Sequence, residues 1–219
     1  WKSLVEIGPR PDGEPLNGVT LIQPSEFAAR PCFAPRQAVS PEVGEIRFSG
    51  GVDWKLVWAD DFDRPNLGPR WVNAGGEWSL DNGVLRGKDV AFLAYAEKIA
   101  APLRIEYEAR CGGGDLSAFW LSKPTSIDSG LLFGFGANGN TINKLVSSGE
   151  QVAQADRPLV QAGKWHHVIA QLLPNQHAQL IIDGELSYDQ VVTPGEAKYP
   201  GLYAWGSNGE FRKVRIFSK

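Results

Sequence analysis

The sequence predicts an all-β protein: a jelly-roll sandwich of two packed antiparallel sheets with little helix. Three observations predict it. Short apolar runs with a two-residue period recur from Gly51 to the end of the chain. Turn residues separate nearly all of them, including Asn82-Gly83, Asn175, Asp183-Gly184 and Asn208-Gly209. No segment holds a 3.6-residue apolar stripe for three turns, so helix should be scarce. About ten short strands at such spacing make a sandwich or jelly roll.

Taken in order, the first fifty residues hold seven of the fifteen prolines. Proline fixes φ and lacks an N–H, so residues 1–50 read as an extended N-terminal arm, with the sandwich domain over 51–219. "DWKLVWADDFD" then opens the sandwich as an alternating strand. "GEWSLDNGVLRGK" places Asn82-Gly83 between two apolar runs, the strongest short-range hairpin signal. Strands follow at "VAFLAYAEKI", "PLRIEYEAR", "LSAFWLSK", "GLLFGFG", "TINKLVSS", "KWHHVIAQLL", "HAQLIIDGE", "PGLYAWG" and "EFRKVRIFS". The period assigns Leu103, Ile105, Tyr107, Phe119, Leu121, Phe133, Val168, Leu202 and Ala204 to the core.

Composition narrows the function classes. With 42% hydrophobic residues in 219, the chain can bury a core. A formal charge of -3 with no basic block argues against nucleic acid or an anionic membrane as partner. No apolar run approaches the roughly 20 residues of a membrane-spanning helix. The chain starts at Trp1 without an initiator Met, which reads as a processed product. Cys32 and Cys111 allow one disulfide, pinning the arm to the sandwich, or two buried thiols. Eight Trp, five Tyr and ten Phe are many for this length, and most should be core. Exposed Trp and Tyr are what sugar-binding surfaces are built from, because pyranose C–H faces stack on flat π systems.

One strand carries an unusual charge pattern. Between Leu103 and Arg110 the apolar residues take one parity, while Arg104, Glu106, Glu108 and Arg110 take the other. Glu106 and Glu108, two residues apart on one face, have Cα atoms roughly 6.5–7 Å apart. That overlaps both carboxyl separations of glycoside cleavage, about 5–5.5 Å for retention and about 6.5–9.5 Å for inversion. The bland alternative is a solvated wall of self-neutralising pairs, each worth under about 1 kcal/mol. By the same parity Trp120, Tyr203 and Trp205 point away from the core. The expected site is therefore a groove with Glu106 and Glu108 as catalytic groups, and Arg104, Arg110, Trp120, Tyr203 and Trp205 holding the sugar.

Other constellations are weaker. His166 and His167, adjacent on a strand, face opposite sides and cannot chelate one metal together. Asp60, Asp61 and Asp63 offer hard oxygen ligands, so a structural calcium is open, but without EF-hand spacing. "GFGANGN" lacks the following helix that a phosphate loop needs. No G-x-S-x-G elbow indicates a serine hydrolase. No cofactor is required by any of these patterns.

Two stretches carry a family resemblance. "GKWHHVIAQLLPNQHAQLIIDGELSYDQ" resembles the laminin-G-like signature. The span from "WADDFDRPNLGPRWVNAGGEWSLDNGVLRG" to "EFRKVRIF" resembles the concanavalin-A-like lectin/glucanase superfamily, closest to its 3-keto-disaccharide hydrolase-like branch. The hairpin Trp78–Leu85 and the strand Phe211–Ile216 match that branch. The Glu-x-Asp-x-x-Glu strand of the family 16 glucanases is not found here. The resemblance implies a concanavalin-A-like sandwich, an oligo- or polysaccharide partner, and a secreted or periplasmic location. For the keto-disaccharide branch it implies proton abstraction beside a 3-keto group, one glutamate acting as base. The paired carboxylates favour such a glycoside-cleaving enzyme. A laminin-G-like binding module without chemistry is the alternative, and a structural adhesion domain a third.

Overall fold

The computed structural model describes residues 51–206 and 208–219. The expected arm over 1–50, Cys32 and any bridge to Cys111 lie outside these residues. Cys111 itself is buried.

The described chain folds into thirteen strands. They are β1 (Lys55–Asp60), β2 (Trp71–Asp81), β3 (Val84–Tyr95), β4 (Leu103–Arg110), β5 (Asp115–Leu121), β6 (Gly130–Gly136) and β7 (Ile142–Ser147). β8 (Glu150–Ala155), β9 (His166–Leu172), β10 (His177–Ile182), β11 (Glu185–Val191), β12 (Tyr199–Trp205) and β13 (Gly209–Ser218) complete the set. Among the described residues helical turns are confined to Ile127–Ser129 and Ala137–Asn140, the latter left-handed at Asn138 and Gly139. All pairings are antiparallel, in the order β11-β10-β9-β4-β13-β3-β12-β5-β6-β7-β8, with β1 added on β13 and β2 on β3. This is a jelly-roll sandwich, as the period-2 pattern predicts.

The β2–β3 ribbon carries the chain from one layer to the other. The start of β3 pairs with β13, and its end, beyond Asp89, pairs with β12. At the bend Asp89 has φ 64°, and β2 bulges between Asn73 and Glu77. Gly76 permits the bend: its φ is 73°, and a methyl there would lie 2.6 Å from Ala91 Cα. The ribbon begins at the expected Asn82-Gly83 turn, both residues at positive φ as a type I′ hairpin requires. The two ends of the path meet through side chains, with Asn143 Nδ2 donating to Ser187 Oγ (2.9 Å) and Tyr188 OH to Lys144 O (3.2 Å).

Between the layers lies one core built from alternate residues of both. Leu103, Ile105, Tyr107, Val168, Leu180, Phe211 and Ile216 come from one layer, and Leu116, Trp120, Phe133, Leu202 and Ala204 from the other. Most of the expected inward parity is observed, with β5 reversed. Trp120 points into the core, its indole N–H donating to Ile99 O at 2.9 Å, while Phe119 and Leu121 point outward. The physical reason is that β5 is buried on both faces. With both parities apolar, alternation does not specify which one faces inward. The outward set belongs to a second cluster of Phe92, Ala94, Phe119, Leu121, Leu132, Val146 and Tyr203. β8 was not anticipated: "EQVAQA" is polar, mostly exposed and sits at the end of the strand order.

Candidate functional site

The residues expected to form one groove are distributed over three places. Arg104, Glu106, Glu108 and Arg110 share the outer face of the β9-β4-β13 layer. Trp120 lies in the core. Tyr203 and Trp205 sit on the outer face of the other layer, beside β3 and β5.

On the first face the charges pair with one another. Arg104, 3% exposed, reaches Glu106 Oε2 through Nη2 (2.8 Å) and Nε (3.2 Å), and lies over the Phe217 ring. His167 Nε2 donates to the other oxygen of Glu106 at 2.8 Å. Burial disfavours the ionised Glu106, but the His167 hydrogen bond and the Arg104 charge outweigh it and hold its pKa below the ordinary value. Glu108 accepts from Arg212 Nε (2.5 Å) and Lys213 Nζ (2.9 Å), which likewise outweigh burial and depress its pKa. Arg110 pairs with Glu210, which Arg86 also reaches at 2.9 Å. Arg110 and Arg212 lie over the Trp165 ring at 4.6 and 4.1 Å. All four oxygens of Glu106 and Glu108 are therefore engaged, and both groups are ions.

The histidines divide as adjacent strand residues must. His167 points outward to Glu106, and His166 is buried, edge-on to Phe135 at 5.2 Å. Gln161 N donates to His166 Nε2, so Nδ1 carries the proton given to Asp183 at 2.9 Å. The pair orders the Asp183 turn. Asp60 does not fit a calcium ion, because its oxygens accept from Arg64 (2.6 Å twice), Trp71 Nε1 (2.6 Å) and Phe62 N (2.8 Å). Asp61 pairs with Arg215 at 2.9 Å. Among the described residues no group of three or more His, Cys, Asp or Glu is placed to hold a metal ion.

The second face has a different chemistry. Cross-strand pairing places Val90, Trp205 and Asp115 in one row, and Phe92, Tyr203 and Ser117 in the next. Trp205 is 57% exposed and Val90 46%, an apolar platform at the rim of the face. Phe92 and Tyr203 rings lie 4.6 Å apart behind it. Asp115 is 6% exposed and accepts from Ser117 Oγ. Burial pushes its carboxyl up to about 6, against the opposing hydrogen bond from Ser117 and charge of Lys144. Lys144 reaches the same cluster because of Gly134, where a methyl would lie 3.1 Å from Lys144 Cγ. Its Nζ donates to Asn138 Oδ1 at 3.2 Å. Burial and the Asp115 charge raise the Tyr203 hydroxyl pKa. Asp115, Ser117 and Lys144 escaped the sequence reading. A lone Asp opening an apolar strand was the available signal, but its neighbour Trp205 is ninety residues away in the chain.

No family model matches this sequence, and no curated protein matches it. Solved structures do. The carbohydrate-binding module CBM66 from Bacillus subtilis is 18% identical, with TM-score 0.58 over 68% of this chain and 96% of its own. The Bacillus licheniformis β-glucanase is 12% identical, with TM-score 0.57 over 74% of this chain and 97% of its own. The exoplasmic/lumenal domain of VIP36, bound to Ca2+ and mannose, is 10% identical, with TM-score 0.60 over 75% and 92%. The chain has the concanavalin-A-like jelly-roll fold. No described helix is long and apolar enough to cross a membrane.

Proposed function

We propose that this protein binds carbohydrate on the outer face of β3, β12 and β5, and that it does so without cleaving it. The observation that carries the reading is Trp205, a broadly exposed indole on the outer sheet face, flanked across the strands by exposed Val90 and by buried Asp115. A sugar ring laid on the indole buries its C–H face against Trp205 and Val90. The fold adds support, since solved proteins that share it include a carbohydrate-binding module, a mannose-bound domain and a glucanase.

Cleavage is disfavoured by the state of the expected catalytic pair. Glycoside hydrolysis needs one carboxyl to hold a proton for the leaving oxygen. Glu106 and Glu108 are both ions with their oxygens occupied, on the opposite face from Trp205. A base for the keto-glycoside route must be ionised, as both are, but each of their oxygens already accepts a hydrogen bond from an Arg, Lys or His, which lowers its basicity.

The test is a glycan array followed by calorimetry on the strongest hit. Trp205→Ala should weaken binding roughly five- to 150-fold, from the roughly 1–3 kcal/mol of lost stacking and burial. The bound glycan should show no new reducing ends after prolonged incubation. Product release that disappears in Asp115→Asn would instead make this face an active site, with Asp115 as its acid.

A further inference from the structure

We propose that the cleft between residues 65–67 and β2 is a second binding site, for a short uncharged saccharide, separate from the Trp205 face. This rests on the carbohydrate-binding reading above and adds a site which that reading does not use.

The cleft encloses about 350 Å3 and is lined by Pro65, Asn66, Leu67, Trp78, Ser79 and Leu80. That is the lower end of the roughly 300–1,000 Å3 usual for small-ligand sites, which suits a short saccharide better than a long chain. Both walls are fixed. One is the loop, held by Arg64, whose Nε donates to Asn66 O (2.8 Å) and whose Nη2 donates to Leu67 O (2.6 Å). The same guanidinium forks onto both oxygens of buried Asp60 (2.6 Å each), which ties the loop to the core. The other wall is β2, which among the described strands pairs with β3 alone, so the cleft runs along a free strand edge. Trp78 is set in that wall by its indole N–H, which donates to Gly75 O (3.1 Å) and Phe92 O (3.2 Å). Gly87 makes room for its ring, since a methyl there would lie 2.7 Å away. The walls meet at the hairpin tip, where a methyl on Gly83 would lie 3.3 Å from Asp61 O. Walls held in place beforehand lose little entropy when a ligand enters.

The lining indicates the ligand. None of its side chains is charged, and the nearby charges are paired, Arg64 with Asp60 and Asp81 with Arg86 (2.5 Å). A charged ligand therefore finds no counter-ion. A wholly apolar ligand would cover the Asn66 amide and the Ser79 hydroxyl, which have no hydrogen-bond partner among the described residues. A neutral sugar satisfies both requirements. Its C–H face packs on Trp78 and Pro65, and its hydroxyls bond the amide and the serine.

The experiment follows the indole N–H signals of Trp78 and Trp205 by NMR in the full chain. The titrants are neutral mono- and disaccharides of glucose, mannose, galactose and xylose. The Trp78 signal should move saturably in the unaltered protein and in Trp205→Ala, with affinities equal within about twofold, because the sites are independent. Ser79→Tyr fills the cleft from an exposed position. It should weaken the Trp78 response roughly tenfold or more by steric exclusion and leave the Trp205 response unchanged. Asn66→Ala should weaken it about two- to tenfold, the effect of one hydrogen bond. A Trp78 signal that stays still while Trp205 saturates overturns the inference and leaves the proposed function intact. An equal Trp78 response in Ser79→Tyr, or its loss in Trp205→Ala, also overturns it. Saturation at Trp78 with no response at Trp205 supports the cleft and sinks the Trp205 reading. Silence at both indoles with every sugar overturns both. A Trp78 response only to an extended neutral peptide of alternating Thr and Val would overturn the saccharide assignment, leaving the β2 edge to strand addition.

Discussion

The two outer faces of the sandwich hold carboxylates of opposite character, and the difference lies in their partners. Glu106 is half-hidden on the β9-β4-β13 face, yet its acidity is increased, because Arg104 and His167 are bonded to it. Asp115 on the β12-β5 face sits among aromatic rings with a serine hydroxyl bonded to it, and burial wins, pushing it up to about 6. Burial alone therefore does not decide the charge state of a buried acid. At Glu106 the His167 hydrogen bond and the Arg104 charge outweigh burial, and at Asp115 the Ser117 hydrogen bond and the Lys144 charge do not. One face is a lattice of ion pairs, and the other holds a buried carboxyl beside an exposed indole.

The largest expected effect is on Asp115. Its pKa lies above the ordinary 3.8, so the folded state binds the proton more tightly than the unfolded chain. The stability it contributes is full below pH 3.8 and is lost as pH rises through about 6. The gap corresponds to about 3 kcal/mol. Asp115→Asn should therefore melt higher than the unaltered protein at pH 8 and lose that advantage at pH 4. Thermal melts across that range check it, and an Asn variant that melts lower at pH 8 would break the comparison between the faces.

Glu106→Gln should destabilise by about 2 kcal/mol at pH 7, because Arg104 is left buried without its counter-ion. Here the sign is reversed. The folded pKa lies below the ordinary 4.5, so the stability is present above that value and is lost as pH falls through the folded pKa. Urea titrations at descending pH should show the full penalty at pH 7 and a shrinking one below pH 4.5.

Glu108→Gln should cost under about 1 kcal/mol, since Arg212 and Lys213 stay largely hydrated without it. It should also leave glycan affinity unchanged, because Glu108 faces away from Trp205. A Glu108→Gln protein that binds no sugar would move the site to the β4 face and undo the proposed function.

Much of the fold was legible in the residues. The turn at Asn82-Gly83, the core parity of Leu103, Ile105, Tyr107, Phe133, Leu202 and Ala204, and the outward Tyr203 and Trp205 follow from local pattern. β5 was misread because "DLSAFWL" is apolar at both parities, and β8 was missed because "EQVAQA" buries little. The residues expected to line one groove are not brought together. Trp205 and Tyr203 do share a face, but Glu106 and Glu108 lie on the opposite one.

Sequence by itself determined the strands, the turns and the composition of each strand face, because side-chain alternation and positive φ act within a few residues. It also determined that Arg104, Glu106, Glu108 and Arg110 share one face. Only the tertiary structure decided which faces meet. β3 bends between the layers at Asp89 and Gly76, setting β4 beside β13 and β9, and Trp205 beside Asp115. Strand neighbours are chosen by packing and by contacts between residues more than a hundred positions apart, so no local rule could foresee that Glu108 would meet Arg212 or that Asp115 would lie beside Ser117 and Trp205.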